Sequence, residues 1–516
     1  MNRFIAKHAD NITGVLNGFD RLILRGTIRT LAFTDGLKRL LWARQVLLKD
    51  FGDYAQALTS QLKDASCRSA KDSGRPIEYL RSSHTSKEDV ARKIAQRDRI
   101  DEGLIAVLSC IEPCMSYEIF RNRDAKKLEL VYRPRKGLAL YHYFIDPVFG
   151  FMHARVQTWL PFGIQIYING REWLARTMDH ADLTYLRREN CFVKLQDVER
   201  TQKLMDRQLK LDWPAALDRI ARTINPAHSA MFQGFPADYY WSAYQSEWAT
   251  DVMFRNSSTL AEIYPALVAH GITTFSSPDV MRFLGGKVHG AFKGEIVSDF
   301  KDRPEGIRIK HRVGRNSVKL YDKQGSILRV ETTINDPYGL KVFRPREGDP
   351  DGKLAWRPLR KGVADLYRRS QLSQASNERY LDALSSANTS TPLGEMVKSI
   401  CRPAILNGKQ VRALRPWSED DTRLFRAVTR GEFAVNGLRN RDLQGILYGT
   451  PAQSAVEKRR RSSRVTRLLR MLRAHGLVKK VTATHRYVLT AKGSDILRAI
   501  LATQSVTLEQ LQTATA

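Results

Sequence analysis

Three acidic side chains lie at the ends of predicted strands, where they could hold metal ions. Asp20 begins one predicted strand, Glu112 ends an apolar strand, and Asp146 ends another strand directly before a proline. Carboxylates in such positions can bind two divalent ions that activate water and stabilise a leaving oxygen. Carboxylates also end strands for solvation alone, so the pattern leaves a catalytic and a structural interpretation open.

The order of these carboxylates loosely resembles that of ribonuclease-H-like nucleases. The resemblance implies a metal-dependent nuclease, or a replication or transposition enzyme, with Mg²⁺ as its cofactor. The segments Lys319–Lys323 and Leu328–Glu331 also resemble hairpins of plasmid replication initiators. No Ser/His/Asp or Cys/His nucleophile system is indicated, and Gly285-Gly286-Lys287 lacks the rest of a phosphate-loop motif.

The five cysteines predict neither a disulfide framework nor a metal site. A disulfide scaffold is typical of much shorter secreted chains. Cys110 and Cys114 are close in sequence, but no second Cys/His pair stands at zinc spacing. Binding of nucleic acid is therefore expected to need no cofactor, and Mg²⁺ is expected only under the nuclease interpretation.

A helix rich in arginine is predicted near the C-terminus, between Thr450-Pro451 and Gly476. Thr450 is a candidate N-cap, Pro451 suits the first helical position, and Gly476 is a natural C-cap. Apolar residues recur at i, i+3, i+4 and i+7 and predict one buried stripe: Val465, Leu468, Leu469 and Leu472. At 100° per residue, five arginines fall on the opposite side: Arg459, Arg460, Arg464, Arg467 and Arg470.

Two short strands follow this helix, Leu477–Val481 and Arg486–Thr490, with a turn from Thr482 to His485. Two further helices precede it, after a capping box at Ser418–Asp421 and at Asn440–Tyr448. This order resembles the winged helix-turn-helix of the multiple-antibiotic-resistance (MarR) class of bacterial transcription regulators, over about residues 418–503. The whole chain also resembles long bacterial proteins that carry the same regulator label. The resemblance implies contacts with duplex DNA through the arginines of the helix and through Lys479, Lys480, His485 and Arg486.

The charge of the chain predicts a polyanionic partner. Its 84 Lys and Arg exceed its 54 Asp and Glu, which gives a formal charge of +30 over 516 residues. Residues 401–516 alone hold 22 basic and 8 acidic residues. Such an excess favours nucleic acid, most simply double-stranded DNA, with RNA as the alternative for the first four hundred residues.

We predict an α+β, multidomain chain. Residues 1–180 are expected to form a mixed-sheet α/β domain, and 181–344 a helical region followed by a basic antiparallel sheet. Residues 345–400 are predicted as a linker and helical connector, and 401–516 as the winged-helix domain. Tyr240, Trp241, Tyr244 and Trp248 recur at helical spacing and place the segment around them in the helical region.

Three strands at 306–313, 316–322 and 326–334 predict a meander with one basic side. Alternation places Val318, Leu320, Leu328 and Val330 on the buried side, and Arg329 and Glu331 on the other side. The residues that could contact a phosphate backbone from this sheet are Arg308, Lys310, Arg312, Lys319 and Tyr321.

Two functional interpretations remain open from the sequence. The first is a DNA-binding transcription regulator or mobile-element targeting protein, and the second is the metal-dependent enzyme described above. No apolar run approaches the ~18 residues that span a bilayer, and the N-terminus lacks the apolar core of a signal peptide. We therefore expect a cytoplasmic protein without a membrane partner, and we leave a homodimer open.

Overall fold

A computed structural model describes residues 1–504, apart from positions 274, 276, 287–294, 304–305, 347, 350, 386–392, 431–432, 434–436 and 482–483. The chain divides into two compact units, each built from separate segments. The first unit comprises Met1–Thr13, Val252–Val330 and Ala375–Ala516, and the second comprises Gly14–Asp251 and Glu331–Gln374. The boundaries predicted at residues 180 and 344 therefore both fall inside the second unit.

The described elements are numbered in chain order. The strands are β1 (Ile12–Ile28), β2 (Ile77–Tyr79), β3 (Gly103–Asn122), β4 (Lys127–Asp146), β5 (Gly150–Gln157), β6 (Ile164–Asn169), β7 (Tyr185–Arg188), β8 (Cys191–Leu195), β9 (Tyr239–Phe254), β10 (Ile296–Arg303), β11 (Gly306–Val313), β12 (Asn316–Lys323), β13 (Ile327–Ile334), β14 (Lys341–Arg344), β15 (Ala355–Pro358), β16 (Ala404–Leu406), β17 (Lys409–Val411), β18 (Val478–Lys480) and β19 (Tyr487–Leu489). The helices are α1 (Asn2–Lys7), α2 (Thr34–Ala43), α3 (Phe51–Asp72), α4 (Lys87–Arg97), α5 (Gly170–Asp179), α6 (Val198–Met205), α7 (Trp213–Ile224), α8 (His228–Met231), α9 (Ser257–Thr273), α10 (Ser277–Phe283), α11 (Leu366–Leu384), α12 (Leu393–Lys398), α13 (Glu419–Val428), α14 (Asn440–Tyr448), α15 (Ala455–Ala474) and α16 (Ala491–Thr503). Helices and a large mixed sheet occur together, which confirms the α+β class.

The second unit is built on a mixed sheet whose strands follow the order β13-β9-β1-β6-β5-β4-β3-β2. β2 runs parallel to β3, while the pairs β3–β4, β4–β5, β5–β6 and β6–β1 are antiparallel. Along β1 the even-numbered residues from Leu16 to Ile28 are buried, as expected for a strand with one face on the core. This core also contains apolar residues of α2, α3, α5 and α7.

The helix predicted around Tyr240 and Trp248 is wrong, because these residues belong to the sixteen-residue strand β9. From Ser246 to Phe254 every residue of β9 is buried. A strand covered on both faces loses the period-two alternation that identifies strands from sequence, and aromatic residues four apart then imitate a helix. The correction places residues 246–254 in the centre of a sheet.

The predicted meander forms as β11, β12 and β13, with β10 as an additional strand, and all of it except Glu331–Ile334 of β13 belongs to the first unit. In the register of these strands Arg308 lies opposite Tyr321 and Lys310 opposite Lys319, so these side chains share a face as predicted. The exposed positions predicted for Arg329 and Glu331 are wrong, because β13 is buried along its whole length.

The C-terminal part of the first unit contains α13, α14 and α15, then the β18–β19 hairpin and α16. Phe425, Leu443, Leu469, Leu472 and Leu497 share one apolar core. The hairpin register joins Val478 to Leu489 and Lys480 to Tyr487.

Two sequence-based boundaries change in the structure, and a third falls outside the described residues. Helix α15 begins at Ala455 and not at Pro451, and the hydroxyl of its N-cap Ser454 accepts a hydrogen bond from the Glu457 amide. The segment 345–353, predicted as a linker, connects the paired strands β14 and β15. The small-residue joint at 385–392 lies outside the described residues after Ser385. Among the described helices, none combines the length and the apolar character needed to cross a membrane.

Candidate functional site

Three buried carboxylates from adjacent strands converge in the second unit. They are Asp20 on β1, Glu247 on β9 and Glu331 on β13, each at most 6% exposed. One carboxylate oxygen from each lies within 4.8 Å of the others. Side chains on adjacent strands are natural neighbours at the spacing of about 5 Å between strands. The convergence is therefore a product of strand order, and we call this group the carboxylate cluster.

Two arginines lie against the carboxylate cluster. Arg171 is fully buried, with Nη2 at 3.0 Å from Oδ2 of Asp251 and Nε at 3.6 Å from Oδ1 of Asp20. Arg21 is closer to solvent, and its Nε lies 3.7 Å from Oε2 of Glu247. Buried carboxylates require such partners, because an isolated charge in the protein interior costs many kcal/mol.

The start of helix α5 brings Arg171 to this place. Asn169 ends β6, and its side-chain oxygen caps the helix by accepting hydrogen bonds from the amides of Arg171 and Glu172. At Gly170 a Cβ atom would lie 1.9 Å from the carbonyl oxygen of Phe19, so only glycine allows this close approach to β1. The helix therefore begins directly beside Asp20.

Amide side chains add further contacts to two of the carboxylates. Asn190 donates a 2.7 Å hydrogen bond to Oδ1 of Asp20, and Gln245 donates a 2.8 Å hydrogen bond to Oε1 of Glu247. Burial alone would lower the pKa of Arg21, but Glu247 and, to a smaller extent, Asp20 and Glu331 raise it above its usual range. Arg21 therefore stays charged beside the cluster.

The carboxylate cluster has the donor chemistry of a Mg²⁺ or Mn²⁺ site. Carboxylate oxygens are the ligands these ions prefer, and soft metals that require thiolate are disfavoured. Mg²⁺ binds oxygen at about 2.0–2.1 Å, which places cis ligands about 3 Å apart. Oxygens within 4.8 Å of each other could reach that spacing through small side-chain rotations.

The structure does not bring Asp20 together with Glu112 or Asp146, so the predicted site of these three residues is not formed. Strands β6, β5 and β4 separate β1 from β3, which places the two backbones about 19 Å apart. Glu112 contacts Arg155, and Arg155 shares a face with Gln165 and Arg25. The contacts of Glu112 therefore lie with β4 and β5, away from Asp20 on β1.

Glu112 instead belongs to a separate polar network. Its carboxylate accepts hydrogen bonds from the Tyr141 hydroxyl at 2.7 Å, Nε of Arg155 at 2.9 Å and Sγ of Cys110 at 3.1 Å, and Lys87 lies at 3.2 Å. Burial raises the pKa of Glu112, but the hydrogen bonds from Tyr141, Cys110 and Arg155 outweigh it and lower the pKa to about 2. The carboxylate of Glu112 is thus held ionised by contacts within the protein.

Asp146 has a local structural role. Its Oδ1 accepts hydrogen bonds from the amides of Val148 and Phe149, and its Oδ2 lies 2.9 Å from Nη2 of Arg219. A carboxylate that caps a turn in this way satisfies backbone donors at a strand end. Two strands separate β4 from β1, so Asp146 is about 14 Å from Asp20.

Sequence reasoning missed Glu247 and Glu331. Glu247 was hidden in a segment predicted as helical, and Glu331 was placed on an exposed face. The available signal was an acidic residue within a run of apolar and small side chains, as in Ser246-Glu247-Trp248-Ala249. An acidic residue in a strand that is buried on both faces is rare unless it is paired, so it indicates a buried polar site.

A second candidate site is the arginine face of α15 in the first unit. The opposite side of the helix is buried through Val465, Leu469 and Leu472. Of the five predicted arginines, Arg470 is half-buried. The other four are exposed: Arg459, Arg460, Arg464 and Arg467. The helix thus presents guanidinium groups to solvent over two turns, while its other face packs into the apolar core.

The β18–β19 hairpin adds further cations to the first unit. Lys479 and Lys480 are exposed on β18, His485 is exposed in the turn and Arg486 is half-buried. On the basic sheet of the same unit Arg312 is exposed, and Nη2 of Arg312 lies 3.6 Å from Asp299. Arg308, Lys310, Lys319 and Tyr321 are half-buried there.

No family model, curated protein or solved structure matches this chain.

Proposed function

We propose that the protein binds nucleic acid, and that the C-terminal part of the first unit binds duplex DNA as a winged helix. The observation that supports this most is the division of α15 into a buried apolar side and an exposed arginine side. A helix of about 10–12 Å diameter fits the major groove of B-form DNA, which is about 12 Å wide. Arginines on its outer side then reach both phosphates and base edges.

The element order supports the winged-helix interpretation. Three helices precede a two-stranded hairpin, and Asn440 of α14 donates a hydrogen bond to the Ser462 carbonyl of α15. In helix-turn-helix proteins the last helix lies in the groove, and the wing contacts the adjacent backbone. We assign these roles to α15 and to the β18–β19 hairpin with its exposed Lys479, Lys480 and His485.

The charge of the chain supports a polyanionic partner. A formal charge of +30 favours rapid association with nucleic acid and strong dependence of affinity on salt. A transcription regulator and a mobile-element targeting protein would both use such a module, and they differ in the DNA sequence that is bound.

Salt-titrated binding of the full-length protein to duplex DNA tests the proposal. Arg460→Ala, Arg464→Ala and Arg467→Ala should each reduce the slope of log affinity against log salt by about 1 if the arginine contacts only phosphate. An arginine that reads a base should cost about 1–3 kcal/mol on a preferred site and little on random duplex. Arg92→Ala, at an exposed position on α4, is the control. Unchanged binding in all three variants would refute duplex binding through α15.

The carboxylate cluster supports a second candidate function, metal-dependent hydrolysis of nucleic acid by the second unit. Bound divalent ions would supply an activated water and a counter-charge for the phosphate. In this proposal Asp20, Glu247 and Glu331 hold the ions, and Arg21, with its side chain 45% exposed, is placed to contact a substrate phosphate.

A cleavage assay with Mg²⁺ or Mn²⁺ on single- and double-stranded DNA and RNA tests the second candidate. Asp20→Asn, Glu247→Gln and Glu331→Gln should each abolish cleavage. Glu112→Gln, which alters the carboxylate of the other network, should retain it. Equal loss in all four variants, or no cleavage by the parent protein, would argue against the cluster as a catalytic site.

A further inference from the structure

The sheet of the second unit has one face turned away from the apolar core. Four adjacent strands, β9, β1, β6 and β5, each give alternate residues to that core. These core residues are Leu22, Leu24, Ala154, Val156, Ile166, Ile168, Trp241 and Ala243. Because successive side chains of a strand point to opposite faces, the residues between them lie on the other side of the sheet. We call this side the outer face.

A row of arginines follows β1 on the outer face and continues past its end. Arg21, Arg25 and Arg29 stand four residues apart, and all three are exposed. Arg21 and Arg25 are about 13 Å apart along the strand. The outer-face positions between and beside them are uncharged: Ile23, Thr27, Gln165 and Ser242. Among the described residues, no carboxylate forms an ion pair with Arg25 or Arg29, so the row is complementary to a polyanion.

Aromatic rings lie directly beside these arginines. Cζ of Arg29 is 3.5 Å from the ring centroid of Tyr240 on β9, and Cζ of Arg21 is 5.7 Å from that of Tyr167 on β6. Tyr240 and Tyr244, both on the outer face of β9, are 37% and 40% exposed. Aromatic rings and guanidinium planes are the groups on which unpaired bases stack. The outer face thus combines phosphate-binding and base-stacking groups within contact distance.

The row of arginines ends at the carboxylate cluster. Asp20 directly precedes Arg21, and Nε of Arg21 lies 3.7 Å from Oε2 of Glu247. Divalent ions bound to the cluster would neutralise its carboxylates and attract a phosphate. A nucleic-acid strand lying along Arg29, Arg25 and Arg21 then reaches these ions.

We propose that the outer face binds single-stranded nucleic acid, with phosphates on Arg21, Arg25 and Arg29 and a base stacked on Tyr244. The strand is single because a base in a duplex is stacked on its neighbours and offers no free face to an aromatic side chain. Delivery of the strand to the carboxylate cluster rests on the second candidate function, whereas binding by the outer face requires no metal ion. This site belongs to the second unit, and it does not depend on duplex binding by α15.

Fluorescence anisotropy with the full-length protein in EDTA tests the binding. The probes are labelled oligothymidylate and oligouridylate of twenty nucleotides and a duplex of equal length. Tyr244→Ala should weaken single-strand binding by roughly 5- to 150-fold, the effect of losing one stacked base. Tyr244→Phe should retain most of the affinity. Tyr79→Ala, at an exposed tyrosine of β2 on the far edge of the sheet, should have no effect.

Arg25→Gln tests the phosphate contacts. It should reduce the slope of log affinity against log salt by about 0.7 for the single-stranded probes, the value for one phosphate of a single strand, and Arg25→Lys should restore the slope. Arg68→Gln, at an exposed arginine of α3, which packs on the core side of the sheet, is the control. Unchanged single-strand affinity in Tyr244→Ala and Arg25→Gln would overturn the proposal. Equal weakening of duplex and single strands by Arg25→Gln, with Tyr244→Ala binding as the parent does, would show a site for a duplex backbone and would also overturn it.

The α15 variants separate this proposal from the duplex proposal. The combined change of Arg460, Arg464 and Arg467 to alanine should weaken the duplex probe and leave the ratio between parent and Tyr244→Ala on oligothymidylate unchanged. A loss of single-strand binding in the α15 variant equal to that in Tyr244→Ala would place both ligands on α15 and refute the outer-face site.

Steady-state cleavage of a single-stranded substrate with Mn²⁺ tests the delivery of the strand to the carboxylate cluster. Arg25→Gln and Tyr244→Ala should raise KM and leave kcat nearly unchanged, because they remove binding and leave the cluster intact. A parent-like KM in both variants would refute delivery over the outer face. Absence of cleavage by the parent would refute the second candidate function together with delivery, and the anisotropy result would still decide whether the outer face binds a single strand.

Discussion

The carboxylate cluster of the second unit and the arginine face of α15 place charge in opposite physical settings. In the cluster, Asp20, Glu247 and Glu331 lie in the interior on three strands far apart in sequence. On α15 the charges lie within one helix and face water. Buried charges such as these carboxylates must be paired to remain ionised. Exposed charges such as these arginines are stable without a partner and are available to a ligand.

The two settings differ in what a mutation should do. Removal of a buried charge leaves its partner uncompensated and acts first on stability. Removal of an exposed arginine changes the free energy of unfolding by about 0.5 kcal/mol or less and acts first on binding. Stability and binding measurements on the same variants therefore separate the two regions.

The largest effect is expected for Arg171→Ala. This change leaves the buried Asp20 and Asp251 without the guanidinium group between them, and it should lower the free energy of unfolding by about 3–5 kcal/mol. Urea unfolding of the full-length protein measures the effect. Lys38→Ala, which breaks an exposed ion pair with Asp35, should change it by about 0.5 kcal/mol or less. A small effect of Arg171→Ala would show that the cluster is better solvated than its burial indicates.

The Glu112 network tests whether half-buried charges behave like the cluster. Because the folded pKa of Glu112 is about 2 and the unfolded value is about 4.5, the carboxylate stabilises the folded protein above pH 4.5. That stabilisation, about 3 kcal/mol in order of magnitude, is lost as the pH falls from 4.5 towards 2. Glu112→Gln should reduce the pH dependence of unfolding in that window, as measured by urea titration at several pH values.

Gln at position 112 keeps the volume of the side chain, so a changed pH profile reports the lost titration. Asp146→Asn, which alters a carboxylate of the same unit outside the network, is the comparison. An unchanged profile in Glu112→Gln would show that Glu112 is not held by Tyr141 and Arg155 in solution.

A divalent ion should stabilise the parent protein if the carboxylate cluster binds it. At a concentration one hundred times its dissociation constant the ion should add about 2.7 kcal/mol to the free energy of unfolding. Thermal unfolding with Mg²⁺ or Mn²⁺, and again after addition of EDTA, measures this. Glu247→Gln and Asp20→Asn should remove the increment, and the α15 arginine variants should keep it. An increment that survives in Glu247→Gln would place the ion elsewhere.

The sequence predicted the exposed region better than the buried one, for a physical reason. The arginine face of α15 and its apolar stripe are encoded within twenty residues, so helical periodicity alone reveals them. The carboxylate cluster depends on which strands become neighbours, and period-two alternation disappears where a strand is buried on both faces. Of its members only Asp20, at a strand with clear alternation, was among the predicted residues.

The same reasoning applies to the β14–β15 hairpin. The segment between β14 and β15 contains Pro, Gly and Asp, which predicts a linker from local composition. Only the pairing of Phe343 with Trp356 shows that the flanking residues form a hairpin. Local composition therefore locates turns well and does not show whether the chain returns to pair with itself.

The smallest expected effect on stability is that of removing the hydroxyl group that caps α15. This effect distinguishes Ser454 from Thr450 as the residue at which the helix begins. Ser454 caps the helix through its hydroxyl, whereas the hydroxyl of Thr450, the cap predicted from sequence, contacts only the Tyr448 carbonyl at 3.4 Å. Loss of an N-cap hydroxyl costs about 0.5–2 kcal/mol. Ser454→Ala should therefore lower the free energy of unfolding of the first unit by about 1 kcal/mol, and Thr450→Ala should change it by a few tenths at most. Both variants leave every arginine of α15 in place, so duplex affinity should be nearly unchanged wherever the protein is folded. The reverse order of the two stabilities would show that the helix extends back to Pro451, which would lengthen α15 by about one turn.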